Sequence, residues 1–337
     1  MKRIDGKTYF IAEIGGNHEG NFDAAIDMAS KAASAGADGV KFQIYTGETL
    51  VNCKEDEMRV KHFNNFALSM SQYMALADHC ESLGVDFLSS IWSQDEITMF
   101  ADRMPFIKVG SGDLTAYPIL KIIAAVGKPI LLSTGLATMS EVESADSYIT
   151  ESNTYYNKPD TLGIMQCTSM YPIPFEDANL NVINTLKKNF PNTLIGYSDH
   201  TIGSLALKVA ISMGVNNLEF HFTDEVYRTS FRDHQVSLTA NMLAELREYD
   251  DTVHILKGDG IKRPMKSEID SGHISSFRRA LYYASDLKAG HVINADDLIA
   301  LRPENGLSAA FSEDIIGQTL KVDVCEFDRV SNNNKIK

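Results

Sequence analysis

Eight times between residue 9 and about residue 258 the chain repeats one unit: a short β-rich run, a polar turn and an amphipathic helical stretch. The strand candidates are YFIAEIG (9–15), GVKFQIY (39–45), DFLSSIW (86–92), FIKVGSG (106–112), PILLSTG (129–135), TLGIMQCTS (161–169), LIGYSDH (194–200) and NLEFHFT (217–223). Between them lie helical segments such as NFDAAIDMASKAASAG, LSMSQYMALADHCESLG, AYPILKIIAAVG and GSLALKVAISMG, with apolar residues at three- and four-residue spacing. Glycine recurs just past these helices, where a left-handed cap favours it. Strands alternating with helices pair in parallel through right-handed crossovers. Eight such units over about 250 residues are what a (β/α)8 TIM barrel requires. A doubly wound open sheet is the competing architecture, weakened by the lack of a GxGxxG turn after the first strand.

The texture changes after about residue 258. GDGIKRPMKSEIDSG reads as a linker, 258–272, between a barrel domain over 1–257 and a small, mostly β domain over 273–337. In that last part ALYYAS, VINADD and TLKVDV read as short strands, and the terminal SNNNKIK as a frayed tail. With 31 Lys and Arg against 45 Asp and Glu, a net charge of −14 and no basic block, the chain shows no footprint for nucleic acid. No apolar run reaches membrane-spanning length and no signal-like segment opens the chain, so neither membrane nor export is expected and the cytoplasm is the default. Cys53, Cys80, Cys167 and Cys325 are scattered without a CxxC pair and suggest packing, not a disulfide framework or a zinc knuckle.

Barrels of this kind place their chemistry at the C-terminal ends of the strands, which sorts the polar residues before any motif is invoked. Strand 1 ends in Glu13, strand 2 carries Lys41 and Gln43, strand 3 Ser89 and Ser90, and strand 4 Lys108 followed by Ser111-Gly112-Asp113. Strand 5 brings Ser133 and Thr134, strand 6 Thr168 and Ser169, strand 7 Ser198-Asp199-His200, and strand 8 Glu219 and His221 before Asp224. Buried polar side chains need partners, so their convergence implies a ligand. Lys128, which precedes strand 5, belongs at the opposite face and reads as structural.

His200 and His221 end neighbouring strands and can converge on one divalent cation. Two nitrogens and no thiolate favour Mn²⁺, Mg²⁺ or Co²⁺ over structural Zn²⁺. The alternative is a pair of hydrogen-bonded histidines. His18 is a candidate third polar contact, whereas His62, His79, His254, His273 and His291 read as surface or packing residues. One inward lysine suggests a Schiff-base nucleophile. Two, Lys41 and Lys108, ringed by Ser90, Ser111, Ser133, Ser169 and Ser198, suggest a socket for a small anion bearing carboxylate and phosphate. Snorkelling to the rim is the structural alternative. Glu13 is the best-placed carboxylate for general acid/base work, with a capping or salt-bridge role as its alternative.

FIAEIGGNHEG, GVKFQIY, IKVGSGD, ILLSTG, CTSMYPIP, GYSDHT and LEFHFT run in order through this barrel, and RRALYYASDLKAGHVINADDLIALRPENGLS follows it. With these motifs the chain, over about residues 8 to 325, resembles the N-acetylneuraminate (sialic acid) synthase family, nonulosonic acid synthases with a C-terminal SAF, or antifreeze-like, domain. The resemblance implies a transferase that condenses phosphoenolpyruvate with an N-acetylmannosamine-type sugar and water, giving a nine-carbon 2-keto acid and phosphate. It implies that His200 in SDHT and His221 in EFHF hold a metal, usually Mn²⁺, and that Glu13 in AEIG positions water near the reacting carbons. Lys41, Lys108, Ser90, Ser111, Ser133, Ser169 and Ser198 match its phosphoenolpyruvate contacts, and Gln43, Asp113, Tyr171 and Asp233 match positions lining the sugar. Arg302 in LRPENG matches an arginine inserted into the barrel mouth of the partner subunit, which implies a domain-swapped homodimer.

Some positions depart from that pattern. SSIWS (89–93) stands where S-T-P-F is more usual, which puts Ser90 in place of Thr and Trp92 in place of Phe. Ser169 stands where some members have Asn, and YRTSFRDHQ has no P-G-P before Asp233. That last loop faces the sugar, so the departures bear on which sugar is taken. NHEG after strand 1 is similar to the neuraminate and legionaminate branches. The competing enzyme reading is a metal-independent Schiff-base aldolase or lyase of the pyruvate type, using Lys108 or Lys41. A non-catalytic ice- or sugar-binding protein would need a flat, Thr-rich repeated face, which 273–337 lacks.

Overall fold

The alternation is realised strand by strand. In the computed structural model, which describes residues 6–228 and 230–331, eight parallel strands pair in chain order, and the first closes the barrel against the last. They are β1 (Tyr9–Glu13), β2 (Gly39–Ile44), β3 (Asp86–Ile91), β4 (Ile107–Val109), β5 (Ile130–Ser133), β6 (Leu162–Cys167), β7 (Leu194–Asp199) and β8 (Asn217–His221). Each lies within the run expected for it.

Helix α1 (Phe22–Ser34) links β1 to β2. Asn21 caps it by accepting the Ala24 N–H, and Ala25, Met28, Ala29 and Ala32 form its buried stripe. Between β2 and β3 the chain inserts α2 (Gly47–Leu50) and α3 (Glu57–Phe66) ahead of the crossover helix α4 (Met70–Leu83). A Ser69/Gln72 capping box opens α4, and Gly84, at a φ of 73°, stops it. The other crossovers are α5 (Gln94–Phe100), α6 (Tyr117–Val126), α7 (Met139–Ser152), α8 (Val182–Asn189) and α9 (Leu205–Ser212), and α10 (Ala240–Lys257) follows β8. Helix stripes and outward strand residues make one core, of which Leu76 is fully buried. Truncating such a residue to Ala costs about 2–5 kcal/mol.

The barrel interior is layered. Tyr9, Ile11, Leu88, Phe106, Leu131 and Met165 fill its lower half as a separate apolar cluster. Gly39 and Gly196 make room for it: a Cβ on Gly39 would lie 2.8 Å from Leu88 and the Tyr9 hydroxyl, and one on Gly196 3.0 Å from Met165. Two residues further along several of the same strands the inward positions turn polar, so that Glu13 registers with Lys41 and His221, and Ser90 with Lys108. Lys128 stands before β5, and its Nζ donates to the carbonyls of Ala101 and Met104 at 2.5 and 3.0 Å, a structural tie.

A second compact unit begins at Asp259. The stretch 258–272 is exposed throughout and carries α11 (Lys266–Asp270). After α12 (His273–Phe277), β9 (Ala280–Tyr283) pairs antiparallel with β10 (Leu298–Leu301), and α13 (Ser312–Ile315) follows. Leu281, Tyr283, Ile293, Ile315, Leu320, Val324 and Val330 form its core. Of the runs expected as strands, ALYYAS supplies β9, but VINADD and TLKVDV make only single bridges, such as Val292 with Thr319. The reason is local: the Asn294 side chain accepts the Asp296 N–H and turns ADD into a short 3-10 helix, so the ladder passes to LIAL. The expected frayed tail, after Ser331, lies outside the described residues.

Candidate active site

Above the apolar layer a cavity of about 160 Å³ opens at the C-terminal ends of the strands. Its floor is ionic. Lys41 is ion-paired with Glu13, lies 3.4 Å from Glu219 Oε1 and donates to Ser90 Oγ at 3.3 Å. Lys108 Nζ donates to Ser133 Oγ at 2.6 Å and to the Val109 carbonyl at 3.1 Å, and lies 3.2 Å from Glu219 Oε2. Gln43 Nε2 donates to Glu13 Oε1 at 2.9 Å. Glu219 therefore bridges the two ammonium groups.

These contacts set the protonation states. Burial lifts the Glu13 carboxyl to about 7, against the pull of Lys41 and with the help of the Glu219 charge. Burial acts on Glu219 too, but Lys108 and Lys41 outweigh it and hold that carboxyl at about 2. Burial works against the Lys41 ammonium, yet Glu13 and Glu219 raise its proton affinity above the ordinary lysine value.

His200 and His221 stand on one wall, ring centroids 5.4 Å apart, with the Tyr171 ring 4.0 Å from the first and 5.6 Å from the second. His200 Nδ1 lies 2.7 Å from the Thr168 carbonyl. A carbonyl only accepts, so Nδ1 carries a proton, and in the neutral ring Nε2 keeps its lone pair. Burial works against the charged ring, but Cys167 and the Thr168 carbonyl raise its proton affinity above the ordinary histidine value. His221 Nδ1 is buried without a hydrogen bond, 3.7 Å from Asp233 Oδ2. Burial, reinforced by His200 and opposed by Asp233, lowers this imidazole to about 4 and keeps it neutral. Two imidazoles with free nitrogens, one of them buried and unsatisfied, fit a divalent cation. Among the described residues no group of three or more His, Cys, Asp and Glu forms a metal shell, so water or substrate oxygens would complete the coordination.

Ser111, Ser169 and Ser198 also line the cavity, Ser111 accepting the Gly135 N–H at 3.0 Å. Asp113 does not itself line the cavity; it follows the lining residues Ser111 and Gly112, and its Oδ2 accepts from Nε1 of Trp92, which does line it, at 2.7 Å. Asp233 reaches the site from a 3-10 turn, Arg232–Val236, after β8. Arg302 belongs to the second unit, exposed, with its guanidinium 5.1 Å from the centre of the Phe277 ring. Other polar strand-end residues turn away. Ser89 and Thr134 donate to backbone carbonyls, and Asp199 is occupied by Tyr197 and Thr201. His18 is buried outside the cavity, its Nδ1 accepting the Gly20 N–H at 3.1 Å.

Glu219, Cys167 and Trp92 line the cavity without having been given a role from the sequence. Strand parity would have found them, since each lies two residues from an inward neighbour: His221, Met165 and Ser90.

A profile of the NeuB family matches residues 28–262, and one of the SAF domain matches residues 278–326. The chain is 31% identical to the N,N'-diacetyllegionaminic acid synthase of Campylobacter jejuni, over 93% of this chain and 95% of that one. It is 30% identical to the N-acetylneuraminate-9-phosphate synthase of Drosophila melanogaster, over 99% and 97%. The crystal structure of the N-acetylneuraminic acid synthetase of Leptospira borgpetersenii superposes with a TM-score of 0.72 at 27% identity, covering 79% of this chain and 90% of that one.

Proposed function

The chain belongs to the NeuB family, and from that premise we propose that it is a nonulosonic acid synthase condensing phosphoenolpyruvate with an N-acetylmannosamine-type sugar and water. The observation that carries the reading is the floor of the cavity, where two buried ammonium groups stand among serine hydroxyls. That is a socket for a small anion with carboxylate and phosphate groups.

Lys41, Lys108 and the hydroxyls of Ser90, Ser111, Ser133, Ser169 and Ser198 hold phosphoenolpyruvate so that its carbon 3 faces the aldehyde carbon of the open-chain sugar. Gln43, Asp113, Tyr171 and Asp233 hold the sugar. The carbon 2–carbon 3 double bond supplies the electron pair for the new carbon–carbon bond, the aldehyde oxygen takes up a proton from solvent, and carbon 2 is left cationic. Water adds there and gives a proton to Glu13, whose carboxyl is poised for it near neutrality. The carbon–oxygen bond to the phosphate then breaks as the carbon 2 hydroxyl gives its proton to the departing phosphate, leaving the 2-keto acid. Holding the two reactants in this pose supplies most of the rate advantage. His200 and His221 would hold a divalent cation, Mn²⁺ or else Mg²⁺ or Co²⁺, which when bound supplies Lewis acidity toward the aldehyde oxygen.

Arg302 grips the sugar's acetyl group from a partner chain in a domain-swapped homodimer. Phosphoenolpyruvate is a cytoplasmic metabolite, and no helix among the described residues is long and apolar enough to cross a membrane, so we assign the reaction to the cytoplasm. The Schiff-base reading is disfavoured at Lys41, whose amine is held in its protonated form by two carboxylates, and at Lys108, whose Nζ is engaged by Ser133, the Val109 carbonyl and Glu219. Borohydride with pyruvate should therefore leave the chain unmodified.

The test is phosphate release from phosphoenolpyruvate with Mn²⁺, using N-acetylmannosamine beside 2,4-diacetamido-2,4,6-trideoxymannose and repeating both with EDTA. Turnover with either sugar, abolished by EDTA, is the expected result. Release unaffected by EDTA overturns the two-histidine site, and no release with either sugar overturns the reading for these substrates.

A further inference from the structure

Trp92 is the only tryptophan in the chain. It follows β3, lines the cavity, and its indole N–H donates to Asp113 Oδ2 at 2.7 Å. Its ring meets Tyr45 edge-on, centroids 5.9 Å apart, and Tyr45 meets Phe63 of α3 in the same way at 5.4 Å. Packing therefore fixes the indole on one side and a charge-assisted hydrogen bond fixes its edge. Among the described residues this is the one side-chain hydrogen bond to Asp113, so its second oxygen has no side-chain partner. An anionic oxygen there repels the carboxylate and phosphate of phosphoenolpyruvate. It suits a neutral molecule with O–H or N–H groups.

We propose that Trp92 is a specificity-determining residue for the sugar. The indole N–H occupies one oxygen of Asp113 and turns the other toward a hydroxyl or amide N–H of the sugar. The indole face packs on the adjoining apolar part, a C–H face or an acetamido methyl. The inference rests on the synthase reading above and extends it from the reaction to the choice of acceptor. A site built to pair a substrate donor discriminates strongly against an analogue lacking it, because its own polar group is then left unpaired.

Trp92→Phe keeps a ring against Tyr45 and removes the donor. The expected result is a sugar KM about ten-fold higher, with the phosphoenolpyruvate KM unchanged within about two-fold and kcat within about three-fold. A sugar KM within two-fold of the parent, or an equal rise in the phosphoenolpyruvate KM, overturns the proposal. A second measurement guards against a variant that fails to fold. Tryptophan emission of the unaltered enzyme, loaded with phosphoenolpyruvate and Mn²⁺, is followed by stopped flow through the first turnover after sugar is added. Emission should shift with a midpoint near the sugar KM, and Asp113→Asn should move that midpoint up about ten-fold. Unchanged emission at saturating sugar overturns the proposal. An unaltered enzyme that releases no phosphate with either sugar defeats the synthase reading and this inference with it. An active enzyme beside an unaffected Trp92→Phe variant defeats this inference alone.

Discussion

Glu13 and Glu219 stand on adjacent strands of the barrel and share Lys41, yet their carboxyls titrate far apart, at about 7 and about 2. The split follows from the cations each one meets. Burial raises both. Glu219 touches Lys41 and Lys108 together, which reverses the effect, whereas Glu13 has Lys41 alone and feels the charge of Glu219. One carboxylate is fixed as a counter-ion and the other is left to exchange a proton near neutral pH, a division of roles set by environment.

If water loses its proton to Glu13, kcat rises with pH through about 7 and levels off above it. Glu13→Gln should remove that limb and lower kcat by about 10²–10⁴-fold. A limb that persists in the variant would assign the proton to another group. Stability carries its own sign. The folded carboxyl holds its proton more tightly than the unfolded one, whose ordinary value is 4.5. This contribution to stability is therefore present below about 4.5 and is lost as pH climbs through about 7. Urea midpoints measured over that window should fall more steeply for the parent than for Glu13→Gln.

Lys108→Met removes one of the two cations that Glu219 bridges and one arm of the anion socket. The expected cost is roughly 3 kcal/mol of stability, because a buried carboxylate loses a partner. The phosphoenolpyruvate KM should rise by about 10²-fold, the loss expected for a desolvated charge-assisted contact. Adding Glu219→Gln should recover much of the stability and none of the KM. Urea denaturation and phosphate-release assays on the single and double variants separate the two effects. A lone Lys108→Met with an unaltered KM would move the anion elsewhere.

The two histidines predict a different pattern. His200→Ala and His221→Ala should each lower Mn²⁺-dependent turnover by about 10²-fold or more, with a smaller effect on the phosphoenolpyruvate KM. Calorimetric titration with Mn²⁺ should show one site per chain in the parent and none in either variant. Thr168 accepts the His200 Nδ1 proton through its backbone, so changing the Thr168 side chain should leave Mn²⁺ affinity unaltered.

Much of this was legible in the sequence, because strand parity and barrel geometry are local rules applied eight times. Lys41, Gln43, Ser90, Lys108, Ser133 and His221 could be placed at the cavity by counting from their strands alone. What escaped depends on partners distant in the chain. Glu219 was visible as a polar residue, but its bridging of Lys41 and Lys108 is a property of the closed barrel. The Trp92–Asp113 hydrogen bond joins two loops that no periodicity relates. Helix α3 has a single buried residue, Val60, so its apolar pattern was too weak to announce it, although its Phe63 supports the cavity wall through Tyr45. VINADD carries a strand-like composition, and one asparagine cap overrides it.

The proposed domain-swapped homodimer predicts a complementation that no monomeric site allows. Arg302→Ala should raise the sugar KM by about ten-fold or more while leaving the barrel's phosphoenolpyruvate KM in place. His221→Ala disables the barrel and keeps its Arg302. In a swapped dimer of these two chains, the intact barrel of the first receives the intact arginine of the second, and the other site has neither. Random pairing makes half of the dimers mixed, each with one of its two sites complete, so co-expression should restore about one quarter of the parent activity at low sugar concentration. If each chain uses its own Arg302, the mixture shows only the average of the two variants, and size-exclusion chromatography on the same sample tells a failure to dimerise from a dimer that does not swap.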